Sequence, residues 1–107
     1  MTTFDERERA FEAGFAHQQD AEFKAEARRD RLLGLWAGEK LGLSGDALQN
    51  YMLSVMRADL REPGDTDVYE KIVADFAEKD VKVMPSEVRA KMDALLASVR
   101  RELHDKG

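Results

Sequence analysis

The sequence predicts an all-α protein, a small four-helix bundle-like domain with a mobile or conditionally helical N-terminal segment. Two observations carry the fold class and a third sets the N-terminus apart. Nearly every segment repeats its apolar residues at three- and four-residue spacing, and none sustains the alternation a half-buried strand needs. The strongest breaks, Gly42, Pro63-Gly64 and Pro85, divide the chain into lengths suited to single helices. Before the first of them, the opening residues carry three phenylalanines in a background rich in charge.

That opening stretch divides the chain into an N-terminal segment, residues 1–19, and a four-helix domain, residues 20–107. Thr3 followed by Glu6 has capping-box spacing, and Asp5 and Glu6 are the acidic residues a first turn favours, so a helix can begin near Phe4. At 100° per residue Phe4, Phe11 and Phe15 fall within a wedge roughly 40° wide, surrounded by Glu6, Arg7, Arg9 and Glu12. The stripe is too thin for a core. Full burial of three Phe side chains contributes on the order of 5 to 9 kcal/mol, while ordering each backbone residue costs about 1 to 2 kcal/mol. Gly14 weakens the helix further, so the segment is expected to be mobile when alone.

The remaining elements follow in order. An apolar stretch from about Ala21 through Leu41 places Leu32, Leu35, Trp36 and Leu43 on one broad face, with Gly42 as its stop. Ser44 or Asp46 can cap the next helix, in which Leu48, Tyr51, Met52, Val55 and Met56 recur until Pro63-Gly64. A third helix, with Asp67 and Glu70 at capping-box spacing, carries Val68, Ile72, Val73 and Phe76 and fades into the charged stretch from Glu78 to Lys82. Pro85 opens the fourth, striped by Val88, Met92, Leu95, Leu96, Val99 and Leu103; Arg100, Arg101 and His104 sit where a helix C-terminus favours cations. Short connections favour antiparallel neighbours.

Composition excludes several functions. With 107 residues the chain suits one small core and no large enclosed active site. Seventeen basic against 22 acidic side chains give a formal charge of −5, which argues against nucleic acid as a partner. Cysteine is absent, so there is no disulfide framework and no thiol nucleophile. The first residues lack a secretory pattern, and no stretch reaches the eighteen or so apolar residues of a membrane span. A cytoplasmic protein without membrane insertion is the expectation.

Chemical motifs are weak. Gly34-Leu35-Trp36-Ala37-Gly38-Glu39-Lys40 resembles a phosphate-binding loop, but it is one residue short between the glycines, has Leu41 where Ser or Thr is needed, and follows no strand. Gly34 and Gly38, one turn apart, read better as a place where a neighbouring helix comes close, with Trp36 in the core. His17 and Asp20 are two candidate metal ligands on a solvated helix, too few to specify a site, and no metal is expected. His104 has no nucleophile or partner carboxylate implied around it, so no catalytic constellation is visible, no cofactor is expected and the chain is not expected to be an enzyme. Met52, Met56, Met84 and Met92 read as core fillers, with an adaptable groove as the alternative.

The thin Phe stripe, the dense charges beside it and its terminal position together match helix-in-groove recognition. Phe4, Phe11 and Phe15 would act as anchors, and Arg7, Glu8, Arg9 and Glu12 would set register. The competing reading is that the stripe folds back onto the bundle.

The run from Met1 to Ala13, followed by Phe15-Ala16-His17, Ala25-Glu26-Ala27-Arg28-Arg29 and Leu32-Leu33-Gly34-Leu35-Trp36-Ala37, resembles the zeta subunit of alphaproteobacterial ATP synthases. The resemblance is dense through about residue 45, continues through Glu62-Pro63-Gly64-Asp65 and Val68-Tyr69, and loosens after Asp80. The family often has a basic residue in place of Gly14 and a neutral amide in place of Asp30. The resemblance implies a four-helix inhibitor whose N-terminal segment enters a catalytic interface of the catalytic head and blocks rotation during ATP hydrolysis. The implied partners are the large catalytic and non-catalytic subunits and the central shaft, with the inhibitor a monomer when free and peripheral to the inner membrane. The alternative of a different class is a general helical protein-binding module or a weak nucleotide sensor.

Overall fold

The computed structural model describes the backbone of residues 3–60 and 64–106, and the side chains of residues 21–60 and 64–104. Four helices account for almost all of it: α1 (Thr3–Lys40), α2 (Gly45–Ala58), α3 (Thr66–Glu78) and α4 (Pro85–Lys106). No strand occurs among the described residues, as the missing period-2 pattern predicts. α1 lies against α2 and α4, and α3 bridges those two from the other side.

The first helix runs 38 residues through Gly14 without interruption. Its sequence is dominated by Ala, Glu, Arg and Leu, the residues that lose least on entering a helix. It stops at Gly42, as expected, and the geometry shows how. Gly42 has φ +81°, its N–H donates to the Glu39 carbonyl at 3.0 Å, and the Leu43 N–H reaches the Gly38 carbonyl at 2.9 Å. This pair of bonds closes a Schellman end. The same device ends α3 without glycine: Asp80 takes φ +55°, its N–H donates to the Ala77 carbonyl at 3.2 Å, and the Val81 N–H donates to the Phe76 carbonyl at 2.8 Å. Val81 then packs on the core, supplying the apolar contact that accompanies such ends.

Two boundaries differ from the sequence expectation. α2 ends at Ala58, five residues short of Pro63. Its last turn tightens as the Leu60 N–H bonds the Arg57 carbonyl at 3.1 Å, and Asp59 turns toward Arg29 on α1. α3 begins at Thr66 with Asp65, not Asp67, in the capping place. The Asp65 carbonyl accepts the first helical bond from the Tyr69 N–H at 3.1 Å, while its side chain caps nothing and pairs with arginines. Ser44 does stand before α2, in extended conformation, without a side-chain capping bond.

The core joins Leu33 and Ala37 of α1, Val55 and Ala58 of α2, Val68, Ile72 and Phe76 of α3, and Val88 and Met92 of α4. The stripes expected on α3 and α4 are therefore found. On α1 the expected face is rotated: Leu33 and Ala37 are fully buried, whereas Leu32, Leu35, Trp36 and Leu43 are only half-buried. The cause is the close approach of α2. A Cβ on Gly34 would lie 2.9 Å from the Met52 Cα, and one on Gly38 would lie 2.4 Å from Leu48 Cδ1. The two glycines therefore do admit a neighbouring helix, and the positions beside them, Leu33 and Ala37, take the centre. Trp36 stands at the core's edge, where its ring meets Phe76 edge-on at 5.8 Å and carries the ammonium groups of Lys40 and Lys91 over it.

Methionine also divides. Met52 and Met92 are buried as core fillers, Met56 is half-buried, and Met84 is 64% exposed, contrary to the core reading. Met84 immediately precedes α4, where its carbonyl accepts the N–H groups of Glu87 and Val88, so its position is set by the backbone of the turn.

Candidate functional site

The residues expected to meet a partner, Phe4, Arg7, Glu8, Arg9, Phe11, Glu12 and Phe15, belong to α1 by backbone, and their side chains lie outside the described residues. The same holds for His17 and Asp20. The boundary expected between residues 19 and 20 falls inside α1, which carries the candidate segment and the packed part of the bundle on one helical backbone. Gly34 to Lys40 also lie inside α1, so they form no phosphate-binding loop. His104 is exposed in the last turns of α4, as expected. Among the described residues no group of three or more His, Cys, Asp or Glu is able to hold a metal, and no helix is long and apolar enough to cross a membrane.

Where the described side chains of α1 begin, two features stand close together. The first is a groove of about 570 Å³ between α1 and the end of α2, walled by Phe23, Leu53, Met56 and Leu60, with Glu26, Arg57, Asp30 and Asp59 also lining it. Phe23, Leu53 and Leu60 are 61%, 46% and 73% exposed, an apolar surface that the sequence reading did not single out.

The second is a buried group of charges. Arg29 and Asp30 are 2% and 1% exposed, although both belong to a run of charge that reads as a solvated face. Arg29 Nε donates to Asp30 Oδ1 at 2.7 Å. Its two terminal nitrogens stand 3.8 Å from Asp59 Oδ2 and 3.8 Å from Asp65 Oδ2. Arg89 of α4 completes the set with a 2.9 Å contact to Asp65 Oδ1, and its guanidinium also lies over the Tyr69 ring. One guanidinium thus ties α1 to the residue after α2 and the residue before α3, and Asp65 passes the link to α4. No buried side-chain N or O among the described residues lacks a hydrogen-bond partner, the condition for tolerating such charges in a core. Burial, followed by a hydrogen bond to Asp59, pushes the Asp30 carboxyl up to about 8, against the opposing attraction of Arg29.

A signal for this cluster existed in the sequence. Ala25, Arg29, Leu33 and Ala37 recur every four residues, so Arg29 lies on the apolar stripe itself. Elsewhere the polar links are more exposed. Tyr51 donates its hydroxyl to Asp75 Oδ2 at 2.8 Å and Lys71 reaches the same oxygen at 3.0 Å, joining α2 to α3. Burial, reinforced by Asp75, keeps the Tyr51 phenol protonated. Arg100 of α4 pairs with Glu22, and Glu102 lies 3.6 Å from Arg28, fastening α4 beside the first described side chains of α1.

Among curated proteins no relative matches the chain. Among solved structures, a protein determined in solution by NMR is 43% identical, with a TM-score of 0.66 over 80% of this chain and 98% of its own. A family model described as ATPase inhibitor subunit zeta matches residues 1–102, spanning both the Phe-bearing segment and the bundle. The chain belongs to the family of ATPase inhibitor subunit zeta.

Proposed function

We propose that the chain inhibits ATP hydrolysis by a rotary ATP synthase, with residues 1–19 as the inhibitory element and the bundle as a stopper outside the cleft. The observation that carries this reading is the family match, which includes the first residue and so takes in the Phe-bearing segment. Phe4, Phe11 and Phe15 are the apolar anchors, and Arg7, Glu8, Arg9 and Glu12 set the register against the large catalytic and non-catalytic subunits near the central shaft. A helix with three anchors gains little from burying its own surface and much from a cleft, so its order is conditional on the partner.

Hydrolysis is blocked more than synthesis when the segment prefers one conformation of the head over the others. The chain itself performs no catalysis, is a monomer when free, and acts in the cytoplasm at the membrane-bound enzyme. Removal of residues 1–18 is expected to leave the cooperative thermal transition of the bundle in place and to abolish inhibition of ATP hydrolysis. Full inhibition by the truncated protein would move the active surface to the bundle, with the groove at Phe23, Leu53 and Leu60 as its place.

A further inference from the structure

Four large apolar side chains are left exposed among the described residues, and three of them, Phe23, Leu53 and Leu60, share one place. With Ala27 and Met56 they line the groove between α1 and the end of α2. Bare apolar surface gathered in a concave site, and not scattered singly, is the mark of a docking surface.

What meets the groove follows from where it stands on α1. The Phe-bearing segment closes at residue 19, and a helix rises 1.5 Å per residue, so Phe23 lies about 6 Å further along the axis. A cleft that encloses the segment as far as residue 19 ends within about one helical turn of Phe23. At that level the two flanks of α1 differ. On the α4 side Arg100 pairs with Glu22 and Glu102 faces Arg28, so ion pairs close it. On the α2 side the groove is open and apolar, with Glu26 of α1 and Arg57 of α2 at its polar edges. Phe23 is also turned about 100° round the helix from the wedge of Phe4, Phe11 and Phe15. A partner that touches both meets α1 on two faces.

We propose that the lip of the ATP synthase catalytic head seats a short apolar segment in this groove, against Phe23 and Leu53, while residues 1–19 occupy the cleft. The inference rests on residues 1–19 being the inhibitory element. It gives the bundle a second task beside that of a stopper: the N-terminal segment blocks, and the groove holds. The occupant carries large apolar side chains at its centre and polar ones at its edges, a base against Glu26 and an acid against Arg57. Because one helix joins the two contacts, the groove meets its occupant at high local concentration once the segment is in place. Its contribution therefore shows as slower release and not as a deeper block.

The test uses the full-length chain and the purified catalytic head of an ATP synthase. Phe23→Gln and Leu53→Gln together replace the apolar walls with a residue suited to a helix surface. The concentration giving half-inhibition of ATP hydrolysis is expected to rise on the order of tenfold through faster release, with the block still complete at saturation. Met84→Gln, which alters the exposed methionine outside the groove, is expected to change nothing. An unchanged half-inhibitory concentration in the double variant overturns the seat. So does a wild-type chain that sediments as a dimer and becomes a monomer in the double variant, since a second copy then fills the groove. Removal of residues 1–18 separates this inference from the function it rests on. Loss of inhibition on truncation, with the groove variant unaltered, overturns the groove alone, whereas full inhibition by the truncated chain overturns both. If the double variant does not fold, alkylation decides. The chain has no cysteine, so Leu53→Cys supplies a single thiol. The bound head is expected to slow its alkylation by about tenfold or more through lost access, and equal rates in the free and bound chain overturn the seat.

Discussion

The two halves of α1 share one helical backbone and differ in almost everything that sustains it. From Ala21 onward the helix is held by its surroundings: Ala25, Leu33 and Ala37 are buried, Gly34 and Gly38 sit under α2, and Arg29 is bonded on several sides. From Thr3 to Asp20 the sequence offers three phenylalanines, a glycine and alternating charge. Helix propensity alone rarely sustains a segment of that length in water; tertiary packing normally supplies most of the stability. Identical secondary structure is therefore expected to carry unequal stability along α1, which under the proposed function suits one half to scaffolding and the other to binding.

Five substitutions along α1 probe that contrast. The largest effect is expected at Arg29. Arg29→Met strips the partner from the buried Asp30 carboxyl and should cost about 3 to 5 kcal/mol in urea unfolding. Arg9→Met in the other half should stay within about 0.5 kcal/mol, as surface substitutions do. Equal costs at the two arginines would erase the distinction between the halves.

A smaller effect is expected at the helix crossing. Gly34→Ala brings a methyl within 2.9 Å of the Met52 backbone, an overpacking cost of about 1 to 3 kcal/mol that the roughly 1 kcal/mol gain in helix propensity only partly offsets. Gly38→Ala meets the flexible end of Leu48 instead, so its two contributions should nearly cancel. Thermal melts of the pair distinguish a fixed backbone contact from a movable side chain.

The smallest effect belongs to Gly14→Ala. It should raise the helicity of residues 3–20 by a local stabilisation of about 1 kcal/mol, visible in Cα chemical shifts, and leave the unfolding midpoint of the bundle unchanged. A shift of that midpoint would show that the two halves melt together.

Much of the fold was legible because Val68, Ile72 and Phe76, and likewise Val88, Met92 and Val99, repeat at helical spacing and lie where that spacing puts them, on the core side. The helix ends at Gly42 and before Pro85 were legible because each rests on one residue's backbone geometry. The face of α1 was misjudged for a physical reason. The sequence reading put Leu32, Leu35 and Trp36 on the core face, but a helix crossing at two glycines buries what lies beside them, here Leu33 and Ala37. The buried cluster escaped because Arg29 stands in the charged run from Arg28 to Arg31, and the recurrence of Ala25, Arg29, Leu33 and Ala37 that sets it apart does not reveal its partners Asp59 and Asp65, thirty or more residues away in the chain. The end of α2 escaped as well, since no glycine or proline marks Ala58 and Asp59, whose contact is with Arg29 on another element.

The continuity of α1 has a consequence for geometry. At about 100° per residue, positions 4, 11 and 15 share the angular phase of positions 22, 25, 29 and 33. Position 22 is the glutamate held by Arg100 near the end of α4, and positions 25, 29 and 33 are buried in the bundle. The two sets of positions thus share one angular phase along a single helical backbone. α4 meets that phase at Glu22 through Arg100 and ends at Lys106. Under the proposed function, a partner holding positions 4, 11 and 15 would grip them in fixed angular register with the packed bundle, so that turning the bundle about the axis of α1 would turn the segment with it.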